Sequence, residues 1–125
     1  MRHGLRAAGL AADEVGWVSA HGTGTPLSDA AEARALHDVL GARPPVSSIK
    51  GALGHSLGAA TAVEAVVSVC VLRDDVLPPN TGAAAVDPEL GIDLVLTPRR
   101  LDRDWVMSCG YAFGGLDSAL LLGRP

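Results

Sequence analysis

The sequence predicts an α/β fold, and three features carry that reading. Short β-branched runs alternate with longer segments whose apolar residues recur at helical spacing. Each short run ends in a loop rich in glycine, serine or threonine. Two further strand-like runs, joined by a Gly-Gly turn, close the chain as a hairpin. Strand, helix, strand, helix, hairpin is the order of an α/β unit, and 125 residues suffice for one domain with one core.

The elements follow in order. Residues 2–10 place apolar side chains at helical intervals, and Gly9 loosens the end of that helix. Val15, Trp17 and Val18 mark a strand over 15–19 that runs into the loop at His21. Residues 29–40 carry the clearest amphipathic pattern: Ala30, Ala33, Leu36, Val39 and Leu40 form one stripe, Ser28 or Asp29 can cap the start, and Gly41 ends it. A strand over 46–49 enters a second loop. Residues 57–72 are almost all small and apolar, which predicts a buried helix rather than a surface one, and one that leaves an association-prone patch wherever its cover is absent. Residues 74–81 contain Pro78-Pro79 and form a turn; 92–96 form an edge strand or hairpin arm; 105–109 and 118–122 are the closing strands, linked through Gly114-Gly115. No internal repeat or linker interrupts the pattern.

Composition excludes several functions. A net charge of −4, with no basic run longer than Arg99-Arg100, argues against nucleic-acid binding. The longest apolar stretch, near 66–72, is too short to span a bilayer. No secretory signal follows Met1, and two cysteines without metal-ligand spacing point to free thiols, a reducing compartment and a cytoplasmic location. Aromatic content of 3% means a core of Ala, Val and Leu.

The chemistry concentrates in two loops, Ala20-His21-Gly22-Thr23-Gly24-Thr25-Pro26 and Ser48-Ile49-Lys50-Gly51-Ala52-Leu53-Gly54-His55. Each holds one histidine at the end of a strand-to-loop passage, where ligands of open α/β sheets gather. The single lysine, Lys50, stands five residues before the second histidine, while nine arginines supply the remaining positive charge. Glu64 lies nine residues after His55 on an otherwise apolar helix and is a partner that makes burial of Lys50 tolerable. Thr23 and Thr25 offer hydroxyls to a ligand or to their own loop.

Three segments in this order and spacing resemble the β-ketoacyl synthases: HGTGTPLSDAAEARAL from His21, VSSIKGALGHSLGAATAVEA from Val46, and CGYAFGGLDSALLL from Cys109. The resemblance implies the C-terminal half of a thiolase-like fold, a mixed sheet with flanking helices, with residues 1–125 forming a partial ketosynthase C-terminal domain. It implies that the chain begins inside the first helix of that half, so that the first, central strand is missing. The whole N-terminal half, with its nucleophilic cysteine, would come from a second chain or a missing segment. The implied reaction is decarboxylative Claisen condensation of acyl and malonyl thioesters in fatty-acid or polyketide synthesis. The thioesters ride on the phosphopantetheine of an acyl carrier protein, and no cofactor is required. By the same resemblance, His21 and His55 bind the thioester carbonyl of the extender and assist its decarboxylation. Lys50 and Glu64 form a supporting pair beside the second histidine. Thr23 and Thr25 hydrogen-bond the pantetheine arm, and Phe113 with Gly114 and Gly115 gates the acyl pocket. Asp117 stands where the family usually has Asn, and Thr61 where it usually has Gly.

Other readings share some of these residues. A chain-length-factor-like subunit or non-catalytic fragment would bind or pair without chemistry, although such partners generally lose the histidines. Thiolases have a similar GHxxG loop, and Cys109-Gly110 resembles their second cysteine, but they lack the first loop. Gly54-His55-Ser56-Leu57-Gly58 fits the hydrolase elbow G-x-S-x-G, yet no histidine follows it in the chain. A sheet lacking its middle strand would leave two rows of backbone groups unpaired, at about 1–3 kcal/mol per buried group. The chain alone is therefore expected to be poorly folded, rearranged or oligomeric, without condensing activity.

Overall fold

The computed structural model describes residues 1–41 and 44–125. Helix α1 (Arg2–Ala8) ends on Gly9 in the left-handed region, as its position after the apolar pattern predicts. Strand β1 (Val15–Ser19) has the predicted bounds. Helix α2 (Pro26–Leu40) starts three residues before the predicted point. Pro26 is preset for the first helical position, so Thr25 becomes the N-cap residue. Asp29 instead accepts the Gly24 N–H at 3.2 Å, bracing the loop before the helix. Strand β2 (Pro45–Ser47) leads into a single-turn helix α3 (Lys50–Leu53). Helix α4 (Ala60–Asp74), strands β3 (Val76–Leu77), β4 (Asp93–Leu94) and β5 (Arg99–Arg100), and the long hairpin β6 (Trp105–Ala112) and β7 (Leu116–Gly123) complete the chain.

Five strands form one mixed sheet in the order β4-β2-β1-β6-β7. The first four are parallel and β7 runs antiparallel to β6, so residues 92–96 supply a parallel edge strand rather than a hairpin arm. A small antiparallel pair, β3 with β5, stands apart. The expected gap at the centre of the sheet is absent. β1 is itself the central strand, pairing β2 on one side (Ser19 with Ser47) and β6 on the other (Ser19 with Ser108). All five of its residues are buried, as a strand covered on both faces requires. The unpaired backbone rows that would have destabilised the chain therefore do not arise there.

The sheet carries a core on each face. Leu5, Val18, Leu36, Leu40, Val46 and Met107 pack with α1 and α2 on one side. Trp17, Val71, Leu77, Val95, Leu101 and Val106 pack with α4 on the other. α4 is buried along one stripe, Ala60, Glu64, Ser68 and Val71, while Val66 is 64% and Val69 54% exposed, the uncovered apolar patch expected of this helix. The sheet covers one side of this helix and nothing among the described residues covers the other. On β7, Leu116 and Leu120 share a face with Leu122, which packs on the α4 side, yet both are exposed.

This apolar surface sets an expectation for solution behaviour. In sedimentation velocity the chain should associate increasingly with concentration, and replacing Val66 and Val69 together by Lys should return it to monomer. A wild-type chain that stays monomeric over the same range would contradict this.

Candidate active site

The parallel register of β1 and β2 brings the two histidine loops side by side at one end of the sheet. His21 follows β1 and is buried. Its backbone is held from two directions. Glu32, on α2, accepts the N–H groups of His21 and Gly22, both at 2.9 Å. Lys50 Nζ donates to the His21 carbonyl at 2.5 Å. Gly22 has φ +46, and a Cβ there would lie 2.5 Å from that of Ser48, so only glycine lets the loops approach this closely. Ser48 completes the tie, its hydroxyl donating to the Gly22 carbonyl at 3.2 Å and its N–H to Asn80 Oδ1 at 3.1 Å.

Lys50 and Glu64 form the predicted buried ion pair, the glutamate only 1% exposed. Its contacts, however, are with the first histidine and not the second: Lys50 Nζ lies 3.5 Å from His21 Nδ1. Burial foremost, then the Lys50 charge and His55, lowers the His21 pKa below its ordinary value, with Asp29 opposing. His21 is therefore neutral at physiological pH. With an ammonium facing Nδ1, the proton of the neutral ring belongs on Nε2.

His55 reaches the same tautomer by another route. Its Nδ1 accepts the N–H of Leu57 at 3.2 Å, which again leaves the proton on Nε2. Leu57 adopts φ +51, a left-handed conformation costly for a leucine. The two imidazoles meet edge to face, with ring centroids 5.6 Å apart. Two adjacent neutral N–H donors suit an oxygen that gains negative charge.

The remaining predicted residues divide. The Thr23 and Thr25 hydroxyls face each other at 3.5 Å, and Thr23 lines a cavity of about 470 Å³ together with Lys50, His55 and Asn80, while His21 and Thr25 are not among its lining residues. That volume lies in the range of small-molecule sites. Phe113, Gly114 and Gly115 occupy the β6–β7 turn; Phe113 is fully exposed, and none of the three lines the cavity. Thr61 packs over β6, where a Cβ on Gly110 would come within 2.4 Å of its methyl group. Asp117 is exposed and pairs in register with Tyr111.

Two site residues escape the sequence reading. Glu32 continues the buried row of Leu36 and Leu40 at four-residue spacing, and a carboxylate in that row is the signal that could have found it. Burial raises its pKa, and the two N–H bonds oppose that shift. Tyr111, on β6, sets its ring 5.5 Å from that of His21.

The competing chemistries lack their geometry. Cys109 is fully buried, and burial pushes its thiol up to about 12, far from a nucleophilic thiolate. Ser56 follows helix α3 and not a strand, so no hydrolase elbow forms. Among the described residues no cluster of three or more metal-ligating side chains occurs, and no helix is long and apolar enough to cross a membrane.

Residues 1–84 match the β-ketoacyl synthase C-terminal domain, and the chain belongs to that family. It is 42% identical over 122 residues to 3-oxoacyl-[acyl-carrier-protein] synthase 2 of Mycobacterium bovis, covering 96% of this chain and 29% of that protein. The crystal structure of a β-ketoacyl synthase from Burkholderia phymatum superposes on all of this chain with a TM-score of 0.96 at 35% identity, over 31% of its own length. A ketosynthase complex with a type II polyketide synthase acyl-carrier protein matches 99% of the chain, with a TM-score of 0.93 at 25% identity and 31% of its own length covered. The chain thus spans about three-tenths of the proteins it matches.

Proposed function

We propose that this chain carries the decarboxylation site of a condensing enzyme, with His21 and His55 as the catalytic pair. The observation that supports this most is the shared tautomer: each Nδ1 is engaged, so each neutral ring has Nε2–H to give. The two donors would bind the carbonyl oxygen of a malonyl thioester. The bond to the extender's carboxylate then breaks, carbon dioxide leaves, and the electron pair moves onto that oxygen as an enolate. The enolate attacks an acyl thioester held on a cysteine that the family keeps in its other half, so condensation needs that half from a second chain or segment. Lys50 and Glu64 hold His21 in place. Thr23 and Thr25 bind the phosphopantetheine arm of an acyl carrier protein, in keeping with the carrier protein bound in the polyketide ketosynthase complex. The loop of Phe113, Gly114 and Gly115 gates the acyl pocket by moving toward the histidines when substrate binds. No metal or organic cofactor takes part, and the setting is cytoplasmic.

Binding tests this reading. A malonyl-pantetheine analogue with an amide in place of the thioester, titrated into the chain, should perturb the NMR signals of His21, Gly22, Thr23, Thr25 and His55. Perturbations confined to other surfaces would refute the assignment.

A further inference from the structure

Tyr111 has no part in the chemistry above, yet it touches the residue on which that chemistry depends. The His21 backbone is fixed at both ends, by Glu32 at its N–H and by Lys50 at its carbonyl. Those backbone bonds do not fix rotation of the imidazole, which is restrained on one edge by Lys50 Nζ at 3.5 Å from Nδ1 and otherwise by the rings packed against it. The ring is flanked by His55 at 5.6 Å and 87°, and by Tyr111 at 5.5 Å and 67°, both edge-to-face arrangements of the favoured kind. His55 is exposed, so it is the weaker wall. Tyr111 rises from β6, where it packs against the core cluster beneath α1 and α2. Its hydroxyl is buried with no oxygen or nitrogen partner among the described residues, and only the Cys109 thiol, a weak partner, lies beside it. A buried hydroxyl with only a thiol beside it is no anchor, so the contribution of this residue lies in its ring.

We infer that the Tyr111 ring is a positioning residue for His21: it holds the imidazole plane and keeps water from it, and the hydroxyl is dispensable. The role rests on the proposed function only in giving His21 a reaction to serve. The charged and titratable groups facing His21 are Lys50 from α3, His55 from the following loop, Asp29 and Glu32 from α2, and Glu64 from α4 through Lys50. The Tyr111 ring adds no charge to this set. Its removal acts by admitting water, which relieves the burial that lowers the His21 pKa.

Nitrogen-15 spectra of the histidine rings in the full chain test this across pH. Tyr111→Phe should leave the His21 tautomer and titration midpoint as in wild type, with an unchanged or higher melting temperature. Tyr111→Leu, which keeps apolar volume without a ring, should move the midpoint up toward 6.5 and mix the two tautomers; Tyr111→Ala should do so more strongly. If the alanine variant does not fold, the Phe and Leu variants decide. The inference is overturned if Tyr111→Phe shifts His21 as Tyr111→Leu does, or if Tyr111→Leu leaves it unchanged. Either result is read without turnover, so a failure of the decarboxylation proposal is seen separately, in carbon dioxide release.

Discussion

Replacing His21 or His55 by alanine, in a ketosynthase whose C-terminal part is this chain, should lower carbon dioxide release from a malonyl thioester by about 10²–10³-fold, the loss typical of one oxyanion donor. The effect should fall on the rate rather than on substrate binding, because the donors matter most when the oxygen becomes anionic. Both imidazoles would serve one oxygen, so the double variant should lose less than the product of the single losses. His55→Gln, which keeps a side-chain N–H, should retain more activity than His55→Ala. Equal release from wild type and both alanine variants would remove the histidines from the mechanism.

The second large effect concerns folding. Lys50→Met leaves the Glu64 carboxylate almost wholly buried without its counter-charge, and one Glu64 oxygen already lacks a hydrogen-bond partner among the described residues. Removing one member of a buried pair costs about 3–5 kcal/mol, a large part of the roughly 5–15 kcal/mol that holds a domain together. Lys50→Met combined with Glu64→Leu should recover most of that loss, since the pair is expensive to desolvate in the first place. Urea denaturation of the two single variants, the double variant and wild type closes the cycle. A single variant costing less than about 1 kcal/mol, as exposed pairs do, would mean the pair is solvated. The Lys50 variant should also disturb His21 more than His55, because its contacts are with the first ring.

Much of this architecture is legible in the sequence where local rules act alone. β1 is found to the residue, and α1 and α2 end at Gly9 and Gly41 as their patterns require. Where two local rules compete, the reading slips: Asp29 looks like a cap, but Pro26 starts the helix and frees Asp29 for the loop. The sheet centre is the clearest misreading. Resemblance suggested a missing middle strand, while the unbroken burial of Val15–Ser19 is the signature of a middle strand that is present. The apolar composition of residues 57–72 marks a helix built to be covered, and the exposed Val66 and Val69 are the uncovered patch that the resemblance leads one to expect.

The site shows the same division. His21, His55, Lys50 and Glu64 are each visible from residue type and loop context. Which histidine the ion pair serves depends on the register of two parallel strands, a property of tertiary pairing that no single segment encodes. Glu32 and Tyr111 were missed because each looks structural within its own element, and only the packed arrangement brings them to His21. Phe113 shows the reverse: a motif residue stands clear of the cavity, on a turn where two successive glycines hold positive φ.

The proposed chemistry stands on two adjacent imidazoles, each engaged at Nδ1 and so carrying its proton on Nε2. Long-range proton–nitrogen correlation spectra of the chain at neutral pH read both ring states directly. His21 and His55 should each be neutral with the proton on Nε2, and both resonances should move when a malonyl-thioester analogue is added. Finding either ring as the Nδ1–H tautomer, or as the imidazolium cation at that pH, would contradict the proposed chemistry.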